Sequence, residues 1–294
     1  MIGQLTPSPS SLAPGPFDWL IGVWLFALGG AVGSFLNVVI YRLPLGMSLV
    51  QPGSHCPACK HPIRWFHNVP ILGWLILRGR CHDCGAKISA RYPLVEALTA
   101  GLFALLGVVE CLGEGANLPV PVAGPLLLYG IYAYHLLLLC TLLATAMIEA
   151  DGHRVPLRLV LPALLVGWSA PLVWPRLHPV AALPAWWVFL DGWPGGLTDG
   201  AIGLAAGMIL GWLAAHCCAP EQRPGMVLGP ACVGLFLGWQ AIVVLTLVTL
   251  AVHLPLSAVG RLRPRARRIP ATAWLALATL GWILCWSWLL GGSE

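Results

Sequence analysis

The sequence predicts an all-α polytopic membrane protein of about seven to eight transmembrane or re-entrant helices, with one small loop domain between the first two. Three observations predict it. Of 294 residues, 58% are hydrophobic and only 9% charged, against about 25% charged in soluble domains. The mean hydropathy of +0.82 leaves too much apolar surface to face water. The apolar residues also fall in runs long enough for a ~30 Å hydrocarbon core, with one sizeable polar segment, residues 43–92, among them.

The first run, 17–39, has no basic residues ahead of it and no small-residue cleavage pattern behind it, so it reads as a retained span and not a signal peptide. Further spans are expected at 94–112, 126–148, 157–173, 201–219 and 273–290. Charge orients them. Arg42, Lys60, Arg64, Arg78, Arg80, Lys87 and Arg91 lie between the first two spans, and Arg261, Arg263, Arg265, Arg267 and Arg268 precede the last. The positive-inside rule puts both clusters in the cytoplasm and the N-terminus outside. The +5 net charge is thereby explained by topology, and no nucleic-acid partner is expected.

Parity then bears on residues 225–254, which are apolar but broken by Gly229-Pro230 and Gly238-Trp239. Arg223 and the arginine cluster share a side, so this stretch crosses twice or not at all. It is too short for two full spans of ~20 residues each. Two short helices bent at Gly238-Trp239, or a re-entrant pair packed against protein, are expected; the alternative is one long tilted span, with one arginine group outside. Asp199 reads as a carboxylate at a helix N-terminus, and Gly200, Gly203 and Gly207 as sites of close helix packing. His135 is either a functional intramembrane group or a histidine bonded to a neighbouring helix.

The loop contains Cys56-Pro57-Ala58-Cys59, then 21 residues, then Cys81-His82-Asp83-Cys84. Two such knuckles can close a tetrahedral zinc site through Cys56, Cys59, Cys81 and Cys84. In a reducing cytoplasm clustered thiols favour metal over disulfides, and so small a segment needs a metal to fold. One of His55, His61, His67 or His82 would be a substitute ligand, though four cysteines already complete a shell. A redox-active thiol set is the other reading.

The residues around the knuckles narrow the function. Gly33-Ser34-Phe35-Leu36-Asn37-Val38-Val39-Ile40-Tyr41-Arg42-Leu43-Pro44 resembles the opening motif of the prepilin leader peptidase/N-methyltransferase family. So do Cys56-Pro57-Ala58-Cys59, Asn68-Val69-Pro70-Ile71-Leu72-Gly73-Trp74-Leu75 and Arg91-Tyr92-Pro93-Leu94-Val95-Glu96, in the family's order. The resemblance implies three parts: 1–42, a first transmembrane helix with the opening motif; 43–92, a zinc loop associated with methyl transfer; and 93–294, a membrane-embedded peptidase-like helical domain. It implies zinc and S-adenosylmethionine as cofactors, and type IV prepilin or pseudopilin-like precursors as partners within the lipid bilayer. It implies multi-pass placement in a bacterial inner (plasma) membrane. Its activities would be leader cleavage by an aspartic endopeptidase and N-methylation of the exposed end.

The family's peptidase uses two aspartates. Where the first would stand, seven residues before Pro156, this chain has Glu149, with Asp151 a substitute two residues on. The second, in a Gly-Asp pair, falls on Gly225-Met226, or on Gly229-Pro230 in a shifted register; neither supplies a carboxylate. Two close carboxyls share one proton, one activating water while the other donates to the peptide carbonyl. A thioether cannot do this, so the resemblance implies a weak or inactive peptidase half beside an intact methylating half. Glu221, just upstream, is the one nearby substitute. The alternatives are a non-catalytic membrane scaffold that binds pilin-like signal helices, and a zinc-ribbon protein of transport function, against which stands the lack of paired intramembrane charges or an internal repeat.

Overall fold

The structure, a computed structural model, describes residues 16–118, 124–175, 177–178, 192–262 and 269–291. Its helices are α1 Pro16–Arg42, α2 Leu72–Ile76, α3 Arg91–Leu106, α4 Pro125–Ala150, α5 Leu157–Val173, α6 Trp193–Ala215, α7 Arg223–Leu262, α8 Ala271–Leu284 and α9 Trp286–Gly291. Among the described residues, β structure is confined to two isolated bridges, His55–Pro62 and Arg80–Lys87. Among the described residues, five helical segments are long and apolar enough to cross a membrane, the bent α7 counted as one, and α5 and α8 are shorter apolar helices. The chain is a multi-pass membrane protein. Arg263, Arg265, Arg267 and Arg268, which carry much of the orientation argument, lie outside the described residues, as does Arg176.

Two spans differ from expectation. The run at 201–219 is displaced: α6 starts at Trp193, where Pro194 suits a first helical turn, and ends at Ala215. Asp199 therefore sits in the second turn of α6 and not at its N-terminus. The run at 273–290 is interrupted at Cys285, which closes α8 before α9 begins. The end of α3 also widens, passing into a π-helical turn at Gly107–Leu112.

Glycines set the closest helix pairs. A Cβ on Gly33 would lie 2.7 Å from Glu96 Cα, and one on Gly29 2.8 Å from Ala100 Cα, so α1 and α3 touch backbone to backbone and antiparallel. Likewise a side chain at Gly203, Gly207 or Gly211 of α6 would collide with the carbonyl of Gly234, Pro230 or Met226 of α7. Without hydrophobic drive between helices in lipid, such small-residue contact is what lets them pack.

The stretch read as bent is bent where expected. Gly238 has φ 87° and ψ 172°, a conformation open only to glycine, and it divides α7 into two helices. The break frees the Leu235 carbonyl, which accepts a hydrogen bond from His178 Nε2 at 3.0 Å; inside a membrane, such a group needs a protein partner. Leu250, beyond the bend, packs against Ala214, Ala215, Cys218, Met226 and Ala271 near the Arg223 end. The chain has doubled back, which removes the single long span from consideration.

Candidate metal centre and buried carboxylate

The two knuckles fold alike. Cys56 N–H donates to the His61 carbonyl and Lys60 N–H to the Cys56 carbonyl; in the second, Cys81 N–H donates to Ala86 and Gly85 N–H to Cys81. Lys60 (φ 60°) and Gly85 (φ 70°) take the left-handed turn that points both thiols of each knuckle the same way. All four Sγ atoms lie within 4.8 Å of one another, with Cys56–Cys84 at 3.8 Å and Cys59–Cys81 at 4.0 Å. A zinc tetrahedron with bonds of about 2.3 Å requires edges of ~3.8 Å. The set can hold zinc. The four histidines stay outside this group of donors.

Electrostatics make the same point. The Cys59 and Ala58 backbone N–H groups draw the Cys56 thiol down to about 6. Cys84, although a hydrogen bond from the Ala86 backbone favours its thiolate, is pushed up to about 12 by burial and by the neighbouring sulfurs. Four adjacent thiols do not ionise together unless a cation neutralises them.

The second centre is Glu149, 3% exposed at the end of α4. Its Oε2 accepts a hydrogen bond from Thr272 Oγ1 at the start of α8. Its Oε1 has no donor among the described residues and lies against Gly225, where any side chain would collide with it. The helix start carrying Gly225 and Met226 is thus brought to Glu149. Met226 is 1% exposed and belongs to the apolar cluster with Ala214, Ala215, Cys218 and Ala271. Asp151 is turned elsewhere: its Oδ2 pairs with Arg91 Nη1 at 2.6 Å, joining the start of α3 to the end of α4. Glu221 is exposed in the turn before α7.

The loop and the membrane helices meet at Glu96 of α3, whose Oε2 accepts the Ile71 N–H at 2.7 Å. Ile71 has φ 63°, rare and strained for a β-branched residue. Asn37 Nδ2 of α1 donates to the Tyr92 carbonyl at 3.1 Å, and Arg42 donates to the carbonyls of Ser48 (3.1 Å) and Pro52 (2.6 Å). Motif residues separated along the chain therefore converge on one junction.

The family model for the Bacterial Peptidase A24 N-terminal domain matches residues 27–109, which spans this junction and the cysteines. A prepilin leader peptidase/N-methyltransferase of Klebsiella pneumoniae is 38% identical over 231 residues, covering 73% of this chain and 95% of that protein. One of Aeromonas hydrophila is 32% identical over 302 residues, covering 91% of each. The chain belongs to the prepilin leader peptidase/N-methyltransferase family. A further family protein, of Myxococcus xanthus, is 44% identical over 157 residues, 53% of this chain and 42% of that one. No solved structure matches the chain.

Within this prepilin leader peptidase/N-methyltransferase member, the four cysteines named from the sequence cluster, and Glu149 and Gly225 lie against each other. Sequence reasoning did not reach Thr272, the hydroxyl that holds Glu149, because nothing in a single threonine at a helix start marks a partner 123 positions away. It also missed Glu110, whose Oε1 pairs with His135 Nδ1 at 2.7 Å, the two being 0% and 1% exposed. The signal was there, a glutamate in an apolar run and a histidine in the next, and the pair corrects the expectation that paired intramembrane ionisable groups are lacking.

Proposed function

We propose that this chain acts on type IV prepilin or pseudopilin-like precursors at the cytoplasmic face of a bacterial inner (plasma) membrane, with its zinc loop inside and its N-terminus outside. Its methylating half is intact and its peptidase half is weak or inactive. S-adenosylmethionine, when bound, supplies the methyl group. The cysteines hold zinc as a structural ion that orders the loop, and the half-buried Glu96 carboxylate at the loop junction has the charge to suit a cationic group such as a sulfonium or an N-terminal ammonium.

One observation carries the peptidase reading. The two positions to which the resemblance assigns the family's aspartates lie close together, and they hold Glu149 and Met226, the latter buried among apolar side chains. A lone carboxyl, already bonded to Thr272, has among the described residues no second carboxyl with which to share a proton. The same observation supports a second reading, a non-catalytic scaffold that holds pilin-like signal helices against this apolar cluster.

The test is cleavage and N-methylation of a pilin-like precursor by the purified full chain, scored separately by mass spectrometry. Wild type is expected to cleave very weakly or not at all and to methylate an already exposed N-terminus; Glu149→Asp/Met226→Asp is expected to gain cleavage. Robust wild-type cleavage abolished by Glu221→Ala would overturn the assignment of the second position. Binding of the precursor with neither reaction would favour the scaffold.

A further inference from the structure

A polar loop between two spans would be expected to stand in water, yet part of this one runs towards the membrane. The depth can be read against α1 and α3. A Cβ on Gly30 of α1 would lie 3.3 Å from Pro70 Cβ, so the loop touches α1 there. Neighbouring Gly33 faces Glu96 and Gly29 faces Ala100 on α3. Gly30 is thus level with a point five to nine residues past Arg91, or roughly 10 Å along the axis. The Arg91–Asp151 ion pair, where α3 starts and α4 ends, marks the polar boundary on this side. Pro70 sits well to the apolar side of it.

The backbone at this depth is provided for. Ile71 N–H donates to Glu96, Gly73 N–H to the Val69 carbonyl at 2.8 Å and Leu72 N–H to the Pro70 carbonyl at 2.6 Å, as lipid surroundings demand. Helix α2 then turns one face inward: Gly73 packs on the His67 carbonyl, and Trp74 Nε1 donates to the Ile88 carbonyl at 3.1 Å. The other face presents Leu72, Leu75 and Ile76, which are 55%, 55% and 68% exposed and spaced as a single helical stripe. On α1, Phe35 is 54% exposed on a helix long and apolar enough to cross a membrane. Exposed Arg78 and Arg80 follow α2 and carry the charge that headgroup phosphates attract.

We propose that α2 is a re-entrant, lipid-facing segment: Leu72, Leu75 and Ile76 lie among the acyl chains of the leaflet on the loop side. The occupant is lipid, because the stripe is apolar and exposed beside Pro70, which touches α1 at Gly30, at a depth close to that of interfacial helices, ~5–10 Å into the headgroup–acyl boundary. The zinc knuckles are then held on the bilayer surface by an insertion of their own loop, in addition to the two spans that flank it. This stands independently of what the chain acts on.

The test places a photoreactive diazirine amino acid at Leu75 and, in a second variant, at Ile76, in the full chain reconstituted into liposomes of phosphatidylethanolamine and phosphatidylglycerol. Phe35 serves as the lipid-facing control and exposed Lys87 as the water-facing one. After illumination, mass spectrometry is expected to find lipid adducts at Leu75 and Ile76 at yields near that of Phe35 and at least fivefold above Lys87. Predominant water adducts at both sites, as at Lys87, would overturn the insertion, and so would crosslinks to a second copy of the chain. Both side chains are exposed, so either variant should fold. If one does not elute as wild type does, the other, or Leu72 on the same stripe, carries the measurement.

Discussion

Thr272 shows how much a single hydroxyl can matter to a buried acid. Removing it as Thr272→Val would leave both oxygens of Glu149 without a donor, and a stranded buried polar group costs ~1–3 kcal/mol. The expected outcome is a melting midpoint lower by several degrees, with Thr272→Ser close to wild type; equal loss in both would mean the methyl packing matters and the hydrogen bond does not. The cysteines make a second case. Purified protein should carry about one equivalent of zinc, largely lost in Cys56→Ser/Cys81→Ser, and metal content unchanged by that double substitution would refute the four-thiolate centre. These two sites also differ in how readable they were. Ligand spacing is local, because each knuckle is one turn of chain, whereas Thr272 reaches Glu149 only after two hairpins of helix have been packed.

Helix α6 depends on having no side chains along one edge. Gly203→Leu or Gly207→Leu would drive a branched side chain into the carbonyls of Gly234 or Pro230, while a Cβ at Gly101, the control Gly101→Leu, has open space within 4 Å. The first two should abolish a monodisperse elution profile and the third should preserve it; a tolerated Gly203→Leu would mean that α6 and α7 are not in backbone contact. The π-helical turn of α3 is pinned in another way. Glu110 binds His135, and Asn117 Nδ2 reaches the Ile283 carbonyl at 3.0 Å, which ties three helices together. Replacing Glu110 alone by Leu strands a buried histidine, so Glu110→Leu/His135→Leu should be the more stable of the two variants. The spans themselves were legible as apolar runs, and the bend was legible because Gly238-Trp239 interrupts one. What periodicity could not give was which helix faces which, or where α6 begins, since an apolar window says nothing of the Pro194 turn that starts it.

At the scale of the whole molecule, labelling of single introduced cysteines in intact cells should find residues 43–92, 149–156 and 255–270 on one face. Reaction of a probe at Arg265 with an external reagent would overturn the hairpin argument that puts it on the same face as the loop. The ion pair between Arg91 and Asp151 has a different consequence, for how the molecule comes apart. Asp151 is two residues from Glu149 and Arg91 five from Glu96, so the pair ties the loop junction to the buried carboxyl across the ends of two spans. With Pro70 seated on α1 and Ile71 on α3, the loop has no seam along which to melt alone. Heating should therefore give one cooperative transition, and chelating the zinc should lower the midpoint of that transition and not open an early, separate one. Two resolved transitions would mean that the knuckles ride on the helices as a detachable unit.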